Sequence, residues 1–286
     1  MKKTALLLLL AACFSMPAIA GDGPRPIKLI SYNLRNSGAR DGDNAWMKRR
    51  HATPQMIRQE APDVFGVQEG LIDQLQYIDT ECPQYARVGV GRDDGAEGGE
   101  IMAIYYLRDR FELVDSGTLW LSETPAEVSR GWDGACNRTM TWVELRDKNS
   151  GKELFYFNTH LDHIGPTARR ESAALLLERI GQTAGTKYPV FCTGDFNSQP
   201  DAEPIRIMRS GLLDAKTISE MPPYSPGWSY TGFDVRIPER LMQRREIDYV
   251  FVNNRVRILK YGVLTDSDGK YFPSDHFPVL VEAILR

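Results

Sequence analysis

Asp195 and Asn197 stand two residues apart in Thr193-Gly194-Asp195-Phe196-Asn197, just after the apolar run of residues 188–192. A short apolar run that opens into a glycine turn reads as a buried strand ending at the rim of a sheet. The acid and the amide are hard oxygen donors, suited to a divalent cation or to orienting an attacking water. The same pattern recurs along the chain. Asn33 closes the alternating run of residues 27–33, and Glu69 closes the apolar run 64–69. Glu100 opens the run 100–107 and Arg138 opens 138–145. His160, Asp162 and His163 follow the run 153–159, with His160 at the strand rim as the residue to act and His163 as the bystander. Asp248 lies near the start of 246–252, and Asp275 and His276 directly precede 277–284. Any one of these is an ordinary turn polar. Acids, amides and imidazoles gathered at so many strand ends are the inventory for metal-assisted attack of water on a phosphate.

The elements that must position these groups alternate along the chain. Helical spacing covers residues 45–60, with Pro54 as a break or offset, then 71–80, 166–181 and 201–210. Pro166 suits a first helical turn and Gly181 a stop. Residues 111–121 read as strand, and 212–214 as a short edge strand. Residues 255–263 are expected to pair with 246–252. Residues 92–99 read as a Gly- and Asp-rich surface loop. The loops 35–47, 122–137 and 221–240, which hold Trp46, Trp132 and Trp228, are expected to shape a substrate pocket. No linker, repeat or low-complexity segment divides residues 21–286, which are assigned to one domain.

Residues 1–20 have a basic start, a leucine-rich core and a small-x-small end at Ala18-Ile19-Ala20, the pattern of a cleaved secretory signal. The competing reading is a lipoprotein signal ending at Leu10-Ala11-Ala12-Cys13, with Cys13 lipidated. Either places the protein outside the cytoplasm, secreted or periplasmic. No other run is long and apolar enough to span a bilayer as a helix. The formal net charge is −3, and losing Lys2 and Lys3 makes it more negative. That argues against avid nucleic-acid binding, although a bound cation could supply the missing charge. Cys192 reads as a core thiol, Cys82 and Cys136 as a possible disulfide in an oxidising compartment. The chain is expected to act as a monomer.

In order, Ser31-Tyr32-Asn33, Gln68-Glu69, Asn158-Thr159-His160-Leu161-Asp162, Gly194-Asp195-Phe196-Asn197, Ile247-Asp248-Tyr249-Val250-Phe251 and Ser274-Asp275-His276-Phe277-Pro278-Val279 resemble the motifs of the endonuclease/exonuclease/phosphatase, or deoxyribonuclease I-like, superfamily. The resemblance spans about residues 27–284. It implies an α/β (α+β) fold, a four-layer sandwich of two packed mixed sheets flanked by helices. It implies a hydrolase of phosphoester bonds that uses Mg²⁺ or Mn²⁺. The substrate stays open among nucleic acid, inositol phosphate and phospholipid head group. Carried over, Glu69 is the principal metal ligand with Asn33 and Asp275 near it. Asp195 activates the water, and Asn197 orients Asp195 or the phosphate. His276 pairs with Asp248 and contacts the phosphate, as does His160. Glu100 supports His160, and Arg138 faces the phosphate. Arg35 stands where some members have an acid, which puts a metal arrangement relying on that acid in doubt. The alternative class is a family member with a dead site, working as a ligand-binding or adhesion module. Retention of Glu69, Asp195 and His276 speaks against it.

Overall fold

A computed structural model describes residues 25–224, 226–234, 245–267 and 270–286. The expected leader 1–20, with Cys13, and residues 225 and 235–240 of the 221–240 loop lie outside them.

Among the described residues, twelve strands form two six-stranded sheets. They are β1 (Ile27–Asn33), β2 (Val64–Gln68), β3 (Tyr85–Val88), β4 (Ile104–Leu107), β5 (Phe111–Trp120), β6 (Thr139–Asp147), β7 (Glu153–His160), β8 (Val190–Asp195), β9 (Leu213–Asp214), β10 (Asp248–Val252), β11 (Val256–Val263) and β12 (Val279–Leu285). The first sheet runs β11-β12-β1-β2-β4-β3 and the second β5-β6-β7-β8-β10-β9. The helices are α1 (Trp46–Arg49), α2 (Ala52–Glu60), α3 (Ile72–Glu81), α4 (Pro166–Ala184), α5 (Glu203–Gly211) and α6 (Ala215–Ile218).

Period-two patterning sorts side chains between layers. On β1, Ile27 and Leu29 enter the core between the sheets, while Ile30 and Tyr32 face the layer holding Met56, Ile57, Leu75 and Ile78 of α2 and α3. On β8, Phe191 faces the other sheet and Cys192 packs with Leu176, Ile180 and Met208 of α4 and α5. The result is helix, sheet, sheet, helix, as expected for the deoxyribonuclease I-like sandwich. Burying side chains such as Leu29, Val64 or Phe191 stabilises this arrangement by about 1.5–3 kcal/mol each.

The sheet order fixes where polar strand ends meet. The parallel pairs β1–β2 and β7–β8 occupy the centres of their sheets, so their C-terminal ends share one rim. β10 runs antiparallel to β8 and β12 antiparallel to β1, so both begin at that rim. Beneath it the sheets are tied by buried polar contacts. Asn158 Nδ2 donates to the carbonyls of Val67 and Ala103, and Gln68 Nε2 donates to Asn158 Oδ1. Gly66 is required there: a Cβ would sit 2.7 Å from both Asn158 and Thr193.

Several sequence expectations are corrected. The run expected to begin at Glu100 becomes strand only at Ile104; ahead of it, Ile101 makes only isolated bridges to Gly70 and Gly91. Strand β11 pairs with β12 rather than β10, because β8 and β9 already occupy both edges of β10. The 45–60 helix divides at Arg50–His51, and Pro54 sits in the first turn of α2, where its missing N–H costs nothing. Helix α4 runs through Gly181 and stops at Gly185, whose φ of +59° ends it. Strand β3 and helix α6 were not foreseen. Cys82, Cys136 and Cys192 are all free thiols.

Candidate active site

The shared rim opens into a cavity of about 400 Å³. Three of its residues follow strand ends in the left-handed region: Arg35 at φ +55°, Glu69 at +58° and Asn197 at +46°. Non-glycine residues adopt this region at a cost of about 1–3 kcal/mol each, and such strain gathers at functional sites. Here it turns the chain sharply enough for all three to line the cavity.

Glu69 is held from two sides. Asn33 Nδ2 donates to Oε1 at 3.0 Å, while the backbone N–H and side-chain amide of Asn36 donate to Oε2 at 3.1 and 3.0 Å. Burial works to raise the Glu69 carboxyl, but His276 and these donors outweigh it and hold it below the usual range. Asn33 also donates to Asp195 Oδ2 at 3.0 Å, and its own oxygen accepts the Arg35 N–H. Asn33, expected near the metal, thus presents its N–H₂ to the two acids and links them. Asp275 lies next to this group, 3.8 Å from Arg35 Nε, and Arg35 Nη2 pairs with Asp41 at 2.9 Å.

Asp195 sits at the centre. It pairs in register with His160 on one side and Asp248 on the other. The Asn197 N–H donates to its Oδ1 at 2.9 Å, and its Oδ2 lies 3.3 Å from His160 Nε2 and 3.7 Å from His276 Nε2. Burial, then the charge of Asp248, raises its carboxyl to about 7. A carboxylate poised there can exchange a proton with water near neutral pH.

The two histidines are driven apart. Burial disfavours a charge on either ring. For His276 the Asp248 carboxylate, 2.8 Å from Nδ1, with Asp195 and Asp275 adding, reverses this and keeps the ring charged. Ser229 Oγ donates to the same oxygen of Asp248 and fixes it. For His160, Arg138 and Arg92 add to burial and hold the ring neutral. Asn197 Nδ2 donates to His160 Nε2 at 2.9 Å and to the Leu161 carbonyl at 3.0 Å, which leaves the ring proton on Nδ1. A charged and a neutral imidazole on either side of one carboxylate suit distinct roles in proton transfer and charge stabilisation.

Glu100 and Arg138 line the cavity. Glu100 Oε2 is 3.8 Å from His160 Nδ1, too far for a hydrogen bond. Its close partner is Arg92, at 2.5 Å. Arg138 Nη2 contacts His163 Nδ1 at 3.1 Å, so His163 is a wall residue rather than a bystander. Asp162 does not face the cavity. Its oxygens accept the backbone N–H groups of Ala135, Cys136, Ile164 and Gly165, which ties the 122–137 loop to the entry of α4. Those N–H groups outweigh burial and depress the Asp162 carboxyl. Removing it should destabilise the fold by about 2–4 kcal/mol, because four backbone donors, that of Gly165 buried and the others partly so, lose their acceptor. Urea denaturation of Asp162→Ala checks this. The sign follows from the depressed carboxyl: the stabilisation is present above the unfolded value near 3.9 and is lost as pH falls through the folded one. The gap between wild type and variant should therefore close in acid.

The loops foreseen to shape the pocket contribute Arg35, Asn36, Cys136 and Tyr230, but none of the three tryptophans lines it. Trp46 packs edge-on against Tyr77, and Trp228 lies tilted by 34° against Phe277. Arg92, Asn36 and Tyr230 were missed. Tyr230 lies 4.9 Å from the His276 ring, and nothing in its spacing marked it.

The sequence profile of the endonuclease/exonuclease/phosphatase family matches residues 30–276. The chain belongs to that family. Endonuclease/exonuclease/phosphatase members are phosphoester hydrolases. A family structure from Bacteroides vulgatus superposes with a TM-score of 0.86 at 32% identity, covering 92% of this chain and 100% of that one. The mannosyl-6-phosphatase of Bacteroides thetaiotaomicron superposes with a TM-score of 0.85 at 36% identity, covering 91% of this chain and 100% of that one. Human nocturnin is 24% identical over 303 residues, covering 90% of this chain, which in turn spans 65% of the nocturnin sequence. Among the described residues, no helix is long and apolar enough to cross a membrane.

Proposed function

We propose that the chain is a divalent-metal-dependent phosphoester hydrolase whose preferred substrate is a small polar phosphomonoester of the sugar-phosphate class, acting outside the cytoplasm after loss of its leader. The observation that carries the reading is the convergence of Glu69, Asp195, His160 and the His276–Asp248 pair on one cavity. One ligand atom each from Glu69, His160 and Asp195 lies within 4.8 Å of the others. The size of the cavity, about 400 Å³, suits a small ester better than a long polymer. The likeness to a mannosyl-6-phosphatase supports the same choice.

The donor set fits Mg²⁺ or Mn²⁺. Glu69 Oε1 keeps a lone pair beyond the one bonded to Asn33, Asp275 adds a second carboxylate, and hard oxygens suit either ion. Glu69 and Asp275 would hold the ion, with Asn33 fixing Glu69. Bound there, it supplies Lewis-acid polarisation of a phosphoryl oxygen. Asp195, aligned by Asn33 and the Asn197 N–H, takes the proton of the attacking water. His276, kept charged by Asp248, stabilises the negative charge that develops on the phosphoryl group. His160 and Arg138 donate to phosphoryl oxygens.

Hydrolysis of p-nitrophenyl phosphate, bis-p-nitrophenyl phosphate and mannose 6-phosphate by chelator-stripped protein tests this. Activity should be absent after stripping, return with Mg²⁺ or Mn²⁺, and favour the monoesters. Metal-independent turnover, or none with any ester or ion, would sink the proposal. Preference for the diester would leave a metal-dependent hydrolase but reject the substrate class.

A further inference from the structure

Arg92 belongs to a loop that, by sequence, looks like plain surface. Its backbone is nevertheless fixed on three counts. Its N–H donates to the Glu100 carbonyl at 3.0 Å, and its carbonyl accepts Trp120 Nε1 at 2.7 Å and Asn137 Nδ2 at 3.2 Å. The guanidinium is thereby held in the cavity wall, with its side chain 14% exposed. Arg138, 6% exposed, stands beside it. Both guanidiniums address one carboxylate, Glu100 Oε2, at 2.5 Å from Arg92 and 3.5 Å from Arg138.

The two cations share Glu100 as their nearest acid. Asp93, 53% exposed, is 3.8 Å from Arg92 Nε, and Asp162, whose oxygens accept four backbone N–H groups, is 3.8 Å from Arg138 Nε, so both acids offset charge at a distance but neither hydrogen-bonds a guanidinium. Arg92 Nε, Arg138 Nε and Arg138 Nη1 are buried without a hydrogen-bond acceptor. Buried donors without acceptors are costly, and three on one cavity wall leave room for an anionic one.

We propose that Arg92 is a specificity residue which, with Arg138, seats the second negative charge of a phosphomonoester dianion. A diester has one charge fewer and an esterified oxygen in its place, so it forfeits this contact. A guanidinium pair matches the fork of phosphate oxygens. The assignment rests on the phosphoester hydrolase reading and names the ester class that reading prefers.

The test compares wild type, Arg92→Met, Arg92→Lys and Glu100→Gln. Calorimetry near pH 8 with Mg²⁺ gives the affinity for orthophosphate, a dianion there. Kinetics give the ratio of kcat/KM for p-nitrophenyl phosphate to that for its bis ester. Arg92→Met should weaken orthophosphate about tenfold or more and lower the ratio by a similar factor, with Arg92→Lys recovering part of both. Glu100→Gln frees the guanidinium and should leave phosphate affinity and ratio equal to or above wild type. Unaltered phosphate binding in Arg92→Met, or equal loss on both esters, would overturn the assignment. So would Glu100→Gln behaving like Arg92→Met, because Arg92 would then act only by anchoring Glu100. Wild type that binds orthophosphate but cleaves neither ester would reject the hydrolase reading alone, with affinity still deciding the role of Arg92. Wild type that binds none overturns the role of Arg92.

Discussion

Asp195→Asn should lower kcat by about 10³–10⁴-fold with Mg²⁺ or Mn²⁺, while KM changes little. The variant keeps the shape of the side chain and an acceptor for the Asn197 N–H but cannot take a proton. Asp195 is fixed by Asn33, aligned by Asn197 and flanked by both histidines, so no neighbour can replace it. Two pH effects accompany the loss. Wild-type kcat/KM should rise through an acid limb at or below about 7, since burial and Asp248 raise the carboxyl to about 7 and a cation beside Glu69 favours the anion. The limb should vanish in the residual activity of the variant. In metal-free protein the sign for stability is opposite to the usual carboxylate case. The folded value lies above the unfolded value near 3.9, so the native state binds the proton more tightly, and wild type loses stability as pH rises from about 4 towards 7. Thermal midpoints should therefore shift in favour of the variant across that window. A variant that keeps a tenth of wild-type activity would remove Asp195 from the proton transfer.

Replacing His276 or Asp248 by Asn should each reduce kcat by about 10²–10³-fold, and the double variant should lose no more than the worse single one. The reason is geometric. Asp248 Oδ2 hydrogen-bonds His276 Nδ1, 2.8 Å away, and Ser229 holds it in that alignment, so apart from its charge on Asp195 it acts through this ring. A group that acts chiefly through another gives non-additive losses. Losses that multiply in the double variant would show that Asp248 works independently. The single variants should also differ in mechanism: Asp248→Asn leaves a ring that titrates, so activity should recover partly as pH falls, whereas His276→Asn has nothing to titrate.

How much of this was legible beforehand differs by level. Alternation in residues 27–33 and the apolar runs 64–69 and 188–192 marked the central strands, because strands buried on both faces are largely apolar. The polar residue ending each run was equally visible, since an acid or imidazole beside a buried strand demands a partner. Ordered motifs then gave the family and the sandwich. Residue type could not say which way each group faces. Asp162, which looked like one more rim acid, is consumed by four backbone N–H groups. Asn33 turns its N–H₂ rather than its oxygen to the acids. Trp46 and Trp228 went to packing, because their area is most stabilising away from water.

What the sequence by itself determined was therefore the set of chemical groups and the strands that carry them, both written in local pattern. What only the tertiary structure decided was their mutual arrangement. The protonation of His160 and His276 depends on neighbours from distant strands. Arg92 enters the cavity because Trp120 and Asn137 pin its backbone. The pairing of β11 with β12 follows from a filled edge on β10. Each is a relation between segments far apart in the chain, and electrostatic and packing energies depend on distance in space rather than separation along the sequence.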